Sequence, residues 1–143
     1  MCLFTLQDNP IITTEPIKTY KLIKKISSGD FASYFNYGNI EFGKVIKNDF
    51  PIGISKSVAA PYPYLYEVLY GIFHTFENFE PIKHCFEATS NPDIVYVCKA
   101  LIPIGSKLFV GISHSFKSFS EITYGSDQIE YFDPKPITEY FRH

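Results

Sequence analysis

Two histidine–hydroxyl pairs are the first residues in this chain whose types and spacing could do chemistry. His74-Thr75 and His114-Ser115 lie 40 residues apart, each within the pattern Gly-Ile-x-His-[Ser/Thr]-Phe-x-x-Phe-x-x-Ile. Phosphoester cleavage by paired histidines needs each histidine and its hydroxyl on one face of a strand, hence two residues apart. Adjacent strand residues point to opposite faces, which argues against that reaction. A ligand-contacting pair, or hydrogen-bonded histidines beside two similar strand-to-helix turns, remains open.

A tyrosine-rich tract over 61–70 is the second candidate. Tyr62, Tyr64 and Tyr66 alternate, so an extended chain presents three phenol rings on one face. Aromatic faces stack nucleobases, at about 1–3 kcal/mol per base, and lysines of a nearby strand could bind phosphate groups. A half-buried strand or a loop packed on the core remains the alternative interpretation. The predicted ligand-binding set is Tyr62, Tyr64, Tyr66, His74 and Lys21.

Metal, cofactor and nucleophile patterns are missing from the sequence. The histidines show neither His-x-x-x-His nor Glu-x-x-His spacing, and no glycine-rich phosphate loop is present. Cys2, Cys85 and Cys98 are an odd number without a Cys-x-x-Cys pair, which argues against a zinc cluster or a disulfide framework. We therefore predict no metal, no cofactor and no catalytic residues, with Cys85 and Cys98 as buried, inert thiols.

The composition of the 143 residues is that of a globular protein. Hydrophobic residues make up 45%, charged residues 20%, and the formal charge is −2. Because Arg142 is the only arginine and the charge is balanced, a protein that reads DNA sequence is not expected. There is no apolar run of about 18 residues and no basic leader. Together with the cysteine count, this predicts a cytoplasmic protein that does not bind membranes.

Short strands must position the candidate residues. Residues 1–16 are predicted to form an irregular arm, followed by a first strand over 17–26. Two short strands are expected near 31–37 and 40–46, and the prolines and glycine of 48–63 predict a loop.

One helix is expected over about 78–89, where Phe79, Ile82, Cys85 and Phe86 share a face and Asn78 can cap the start. Residues 93–102 are apolar on both faces, as in a central strand, and 107–110 is predicted to return as its hairpin partner. Two further strands are expected near 121–124 and 128–132. The predicted fold class is α+β: a single domain, 1–143, with a twisted, mainly antiparallel sheet of short strands and one main helix.

Four segments resemble a group of small, uncharacterised proteins encoded by phages and prophages. They are Met1–Phe4, Thr19–Leu22, Gly71–Phe76 and Leu101–Lys107. Members of that group open Met-Cys-Leu-aromatic and carry a Gly-x-x-His-[Ser/Thr]-Phe turn, then an Ile-Pro-x-Gly-[Ser/Thr]-Lys hairpin. The resemblance implies a viral or mobile-element origin and a host-directed accessory role, but no established activity.

A second similarity is to small ADP-ribosyltransferase-like folds. By that analogy His74 would bind NAD and Glu121 would be the catalytic residue. The first strand, however, carries Tyr20-Lys21 where those folds have an arginine or histidine.

The leading functional expectation is a non-enzymatic viral accessory protein acting in the host cytoplasm. In its sharpest form the protein sequesters a nucleotide-derived immune signal, as a homo-oligomer, without catalysis. The expected partner is then a small nucleotide-like ligand. The alternatives are an NAD-dependent ADP-ribosyltransferase-like enzyme and a protein that inhibits a host enzyme by binding to it.

Overall fold

A computed structural model describes residues 3–5, 9–34, 39–56, 66–113 and 122–141. This part of the chain forms one mainly antiparallel sheet with one α-helix, α1 (Glu80–Ala88), and two short 3-10 helices, Pro92–Ile94 and Ile137–Glu139. The predicted sheet of short strands with one main helix is thereby confirmed. The strands are β1 (Leu3–Thr5), β2 (Ile11–Ile12), β3 (Ile17–Lys25), β4 (Phe31–Ser33), β5 (Val45–Lys47), β6 (Gly53–Lys56), β7 (Tyr66–Tyr70), β8 (Phe73–Phe76), β9 (Val95–Ile102), β10 (Lys107–Ser113), β11 (Ile122–Ser126) and β12 (Gln128–Pro136).

The sheet runs in the order β5-β12-β9-β3-β8-β11-β10-β1-β7-β6, with β2 added to β10 and β4 added to β3. The longest pairing joins β3 to β9, from Ile17 opposite Ile102 to Lys24 opposite Val95. Strand β9 also pairs with β12, so the apolar segment predicted as a central strand is indeed paired on both sides. Two groups of buried side chains cover the two faces of this central region.

Helix α1 covers one face of β3 and β9. Its buried residues Ile82 and Phe86 pack in a cluster that includes Leu22 and Val97. Asn78 caps the helix as predicted, since its Oδ1 accepts a hydrogen bond from the Glu80 backbone N–H at 3.1 Å. The local signals of capping and period therefore located the helix to within two residues.

The N-terminal residues do not form the predicted irregular arm. Strand β1 lies between β10 and β7, and β2 extends β10. Thr13 holds this segment in place: its Oγ1 donates to the Pro103 carbonyl at 2.8 Å and accepts from the Ser106 N–H at 2.9 Å. These contacts are about 90 residues apart in sequence, so no local pattern could indicate them.

Two other predicted boundaries are also corrected, and a third lies partly outside the described residues. Strand β6 lies inside the predicted loop 48–63, because it pairs with β7. The strand predicted near 40–46 is reduced to its last residues, since Gly43 adopts a φ of +78° that interrupts an extended chain. The strand predicted near 31–37 is described only as far as β4 and the bend that follows it.

The predicted hairpin between 93–102 and 107–110 is wrong. The turn at Ile104-Gly105 exists, but β9 pairs with β3 and β12, whereas β10 pairs with β11, β1 and β2. Thr13 forms two backbone hydrogen bonds with residues at the end of this turn. Its N–H donates to the Ser106 carbonyl, and its carbonyl accepts from the Gly105 N–H. The N-terminal segment therefore takes the hydrogen bonds that a hairpin partner would have made.

Gly71 is required where β7 turns into β8. Its φ is +89°, and a Cβ added there would lie 2.7 Å from the Pro51 carbonyl oxygen and 2.8 Å from the Ile52 Cα. Gly29 has the same φ of +89° but nothing within 4 Å of the added Cβ. Gly29 is thus a matched control that separates the backbone conformation from the close approach.

We expect Gly71→Ala to destabilise the fold more than Gly29→Ala. The left-handed conformation alone should cost about 1 kcal/mol at either position, and the overlap with backbone atoms about 1–3 kcal/mol more at Gly71. Urea unfolding of the two variants measures both losses. Equal losses would contradict the close approach of Gly71 to Pro51 and Ile52.

Candidate functional site

Lys21 is a buried cation in the middle of the sheet. It lies on β3, opposite Cys98 of β9, and only 6% of its surface is exposed. Its strand neighbours Leu22 and Ile23 are also buried, so β3 is covered on both faces. A lysine is rarely buried to this extent unless its charge is paired.

Within the described part of the chain, the Lys21 ammonium has one hydrogen bond, and it goes to the backbone. Nζ donates to the His74 carbonyl oxygen at 2.8 Å. Among the described residues, no carboxylate lies within salt-bridge distance of Nζ. Burial lowers the pKa of Lys21 to about 8, because the charged form loses its hydration. Lys25, four residues along the same strand, is exposed.

Lys21 lines a cavity of about 190 Å³, the Lys21 pocket. One part of its wall is apolar and is formed by Ile40, Ile46, Ile72 and Phe73. The remaining lining residues are polar or carry a polar group, and they converge on the same space: Lys21, Ser33, Asn39, His74 and Tyr131. An apolar cavity with a few convergent polar groups is the usual form of a small-molecule site.

Two buried polar atoms of this pocket have no hydrogen-bond partner among the described residues. They are Ser33 Oγ and His74 Nδ1. Buried polar groups are normally satisfied, so each of these atoms calls for an explanation, such as a ligand that completes it. Within the described residues, the pocket therefore offers a ligand one hydroxyl and one ring nitrogen without partners. It also offers an ammonium group that makes one hydrogen bond.

His74 is held neutral. Burial and, to a lesser extent, the neighbouring positive charge of Lys21 together lower its pKa to about 3. At neutral pH its imidazole therefore carries no charge. It can contact a ligand through hydrogen bonds but does not attract an anion by charge.

Cys98 and Tyr131 stay protonated beside Lys21. Burial raises the pKa of the Cys98 thiol to about 12 and also raises the pKa of the Tyr131 hydroxyl. Cys98 is a free, fully buried cysteine, which confirms the prediction of an inert thiol at this position. Neither group supplies the negative charge that Lys21 lacks.

Of the predicted ligand-binding residues, the structure brings Lys21 and His74 together. Tyr62 and Tyr64 lie outside the described residues, as do His114 and Glu121 of the alternative readings. Tyr66 opens β7, opposite Thr5 of β1, and its side chain is not among those described. The enzyme alternative, which needs Glu121 beside His74, is therefore not tested by the described residues.

Ser33 and Tyr131 were missed by the sequence analysis. Tyr131 lies two residues after Ile129 on β12, and both side chains are buried on the same face. The sequence indicates this shared face by its period of two. What the pattern could not indicate is that β12 lies next to β9, two strands from Lys21. Ser33 carried no signal, because a single serine at the end of a short strand is common on surfaces.

The described residues contain no group of three or more histidine, cysteine or acidic side chains placed to hold a metal ion. No helix in this part of the chain combines the length and hydrophobicity that a membrane crossing requires. Comparisons of the chain with protein-family models, with curated proteins and with solved structures find no match.

Proposed function

We propose that this protein binds a small phosphate-bearing, nucleotide-derived ligand in the Lys21 pocket and does not turn it over. The observation that carries the proposal is the buried Lys21 ammonium, which has a single backbone hydrogen bond and no carboxylate in reach within the described residues. A buried charge is costly unless it is paired. An anion in the cavity would pair it.

The polar groups of the pocket support a phosphate ester over a simple ion. Ser33 Oγ and His74 Nδ1 lack partners among the described residues. A phosphate or sugar oxygen can accept from the hydroxyl, and a sugar hydroxyl can donate to the ring nitrogen. The apolar wall that includes Ile72 and Phe73 fits the less polar part of such a ligand. The volume of about 190 Å³ is below the range of roughly 300–1,000 Å³ for pockets of drug-sized ligands. The cavity therefore holds only part of such a ligand, and we place the phosphate-bearing end there because Lys21 lines the cavity.

The biological setting of this proposal is counter-defence by a phage-type protein. Sequestration of an immune signal needs affinity rather than turnover. A pocket with a neutral histidine and no carboxylate in its described lining suits such binding. The resemblance of the chain to phage-encoded proteins favours this setting over a metabolic one.

The test is a binding screen of the purified protein. The panel holds inorganic phosphate, NAD, ADP-ribose, cyclic ADP-ribose isomers, and cyclic di- and trinucleotides. A ligand at about 100 times its Kd should stabilise the fold by about 2.7 kcal/mol, which raises the Tm by roughly 5–11 °C for a chain of this size. Mass spectrometry of the recovered ligand then separates binding from turnover.

Lys21→Met should weaken binding of the selected ligand by roughly 10- to 100-fold, because one hydrogen bond to a charged group contributes about 1.5–3 kcal/mol. Calorimetric titration measures the affinity independently of any change in Tm. Lys25→Met, the same substitution at an exposed position of β3, is the matched control and should bind like the unmodified protein. A panel without any binding, or equal affinity of Lys21→Met, would refute the proposal, and recovery of a product would favour an enzyme.

A further inference from the structure

The Lys21 amine has the surroundings of a lysine that reacts with carbonyl compounds. It lines a cavity with an apolar wall, and among the described residues its ammonium has no carboxylate partner and one hydrogen bond, to the His74 carbonyl. Desolvation in an apolar pocket is one of the ways in which proteins activate a lysine nucleophile. Simple anion binding does not require such an environment, since exposed lysines bind phosphate readily.

We propose that Lys21 captures an aldehyde-bearing ligand as an imine, so that a phosphorylated sugar with an open reducing end is held covalently and reversibly in the pocket. This inference rests on the proposed function for the site and for the phosphate, and adds the aldehyde as the second recognised group.

The reaction balances without an oxidant or a reductant. The Nζ lone pair forms a bond to the carbonyl carbon, the carbonyl oxygen takes up a proton, and Nζ gives one up. The hydroxyl of this carbinolamine then leaves as water, and a carbon–nitrogen double bond remains. The protonated imine keeps one N–H, which can still donate to the His74 carbonyl, and it keeps the positive charge beside the phosphate.

The groups around Lys21 favour this step at neutral pH. Among the described residues, the titratable side chains that line the pocket with Lys21 are His74 of β8 and Tyr131 of β12, and Cys98 of β9 lies directly opposite Lys21 in the sheet. Because the pKa of Lys21 is about 8, about a quarter of it is neutral amine at pH 7.5, against about one in a thousand for an exposed lysine. The proton that lets the carbinolamine hydroxyl depart as water comes from the solvent.

Three probes that differ in the aldehyde or in the phosphate separate this inference from the proposed function. Glycolaldehyde phosphate carries both groups, hydroxyethyl phosphate lacks the aldehyde, and glycolaldehyde lacks the phosphate. The protein is treated with each aldehyde at pH 7.5 in the presence of cyanoborohydride, which reduces an imine to a stable amine. Peptide mapping by mass spectrometry then locates the label among the twelve lysines.

We expect Lys21 to be labelled by glycolaldehyde phosphate at least about tenfold faster than any other lysine, because its free-amine fraction exceeds that of exposed lysines by more than this factor. Lys25→Met should retain the label at Lys21. Lys21→Arg removes the amine, and its loss of the label would show that no neighbouring lysine takes over.

The outcomes are distinct. Binding of hydroxyethyl phosphate without selective labelling by either aldehyde would overturn the imine and leave the proposed function intact. Selective labelling of Lys21 by glycolaldehyde, with no binding of hydroxyethyl phosphate, would support the reactive amine and refute the phosphate site. Because the mapping uses the unmodified protein, the result does not depend on whether a variant folds.

Discussion

Replacing His74 by glutamine is expected to remove a large part of the acid sensitivity of this fold. In the folded protein the pKa of His74 is about 3, whereas an unfolded histidine titrates near its usual value of 6.5. Between these values the unfolded state binds one proton more than the folded state, so the free energy of unfolding falls as the pH falls through this window. At pH 5 the loss from this one group is about 2 kcal/mol.

His84 provides the matched control for this experiment. It lies exposed on α1 and does not line the Lys21 pocket, so His84→Gln removes an imidazole from the surface only. Urea unfolding of the unmodified protein and both variants at pH 7 and pH 5 gives the comparison, and carboxylates that also titrate in this range cancel in the differences. If His74→Gln lost as much stability between the two pH values as the unmodified protein, the imidazole would not be held neutral in the pocket.

Replacing Lys21 by methionine is expected to stabilise the ligand-free protein at pH 7. The pKa of Lys21 falls from 10.5 to about 8 on folding, so keeping the proton on the buried amine costs about 3 kcal/mol at neutral pH. The lost hydrogen bond to the His74 carbonyl offsets about 1 kcal/mol of this gain, which leaves a net stabilisation of about 2 kcal/mol. A buried residue that lowers the stability of the folded protein is typical of a functional site.

The pH dependence of this gain tests its cause. Between pH 8 and pH 10.5 the unfolded state retains the proton that the folded state has released, so the stability of the unmodified protein rises with pH in this window. The advantage of Lys21→Met should therefore shrink by about 1 kcal/mol between pH 7 and pH 9. Lys25→Met should show neither effect. A destabilised Lys21→Met variant, or an advantage that does not change with pH, would contradict an unpaired buried charge.

Local elements of the fold could be predicted well. The first strand, the helix with its Asn78 cap and the central strand β9 were each expected within a few residues of where they lie. Each depends on interactions within about a dozen residues: alternation, helical period, capping and turn residues. Where Gly43 interrupts an extended segment, its N–H donates to the Tyr131 carbonyl far along the chain, and the prediction was wrong. Strand β6 was missed because the prolines and glycine of 48–63 indicate a loop, although β6 pairs with the nearby β7.

The candidate site was predicted in part. Lys21 and His74 were chosen for their side-chain chemistry alone, as a phosphate-binding amine and a hydrogen-bonding imidazole. The sequence could not indicate that Lys21 is buried, since lysines on strands usually lie on a solvated face. The sequence also could not indicate that Ser33 and Tyr131 line the pocket. They do so because β4 pairs with β3 and β12 pairs with β9 in the sheet.

The sequence by itself determined the elements of this protein and the chemical groups available to it: short strands, one capped helix, a free inert thiol at Cys98, and an amine and an imidazole as candidates. The tertiary structure alone decided which of these groups meet, because the order of the strands depends on contacts between residues far apart in the chain. The hydrogen bonds of Thr13 at the turn after β9 are one such contact. The same order covers both faces of β3, and so turns Lys21 from an ordinary strand lysine into a buried cation without a described counter-charge.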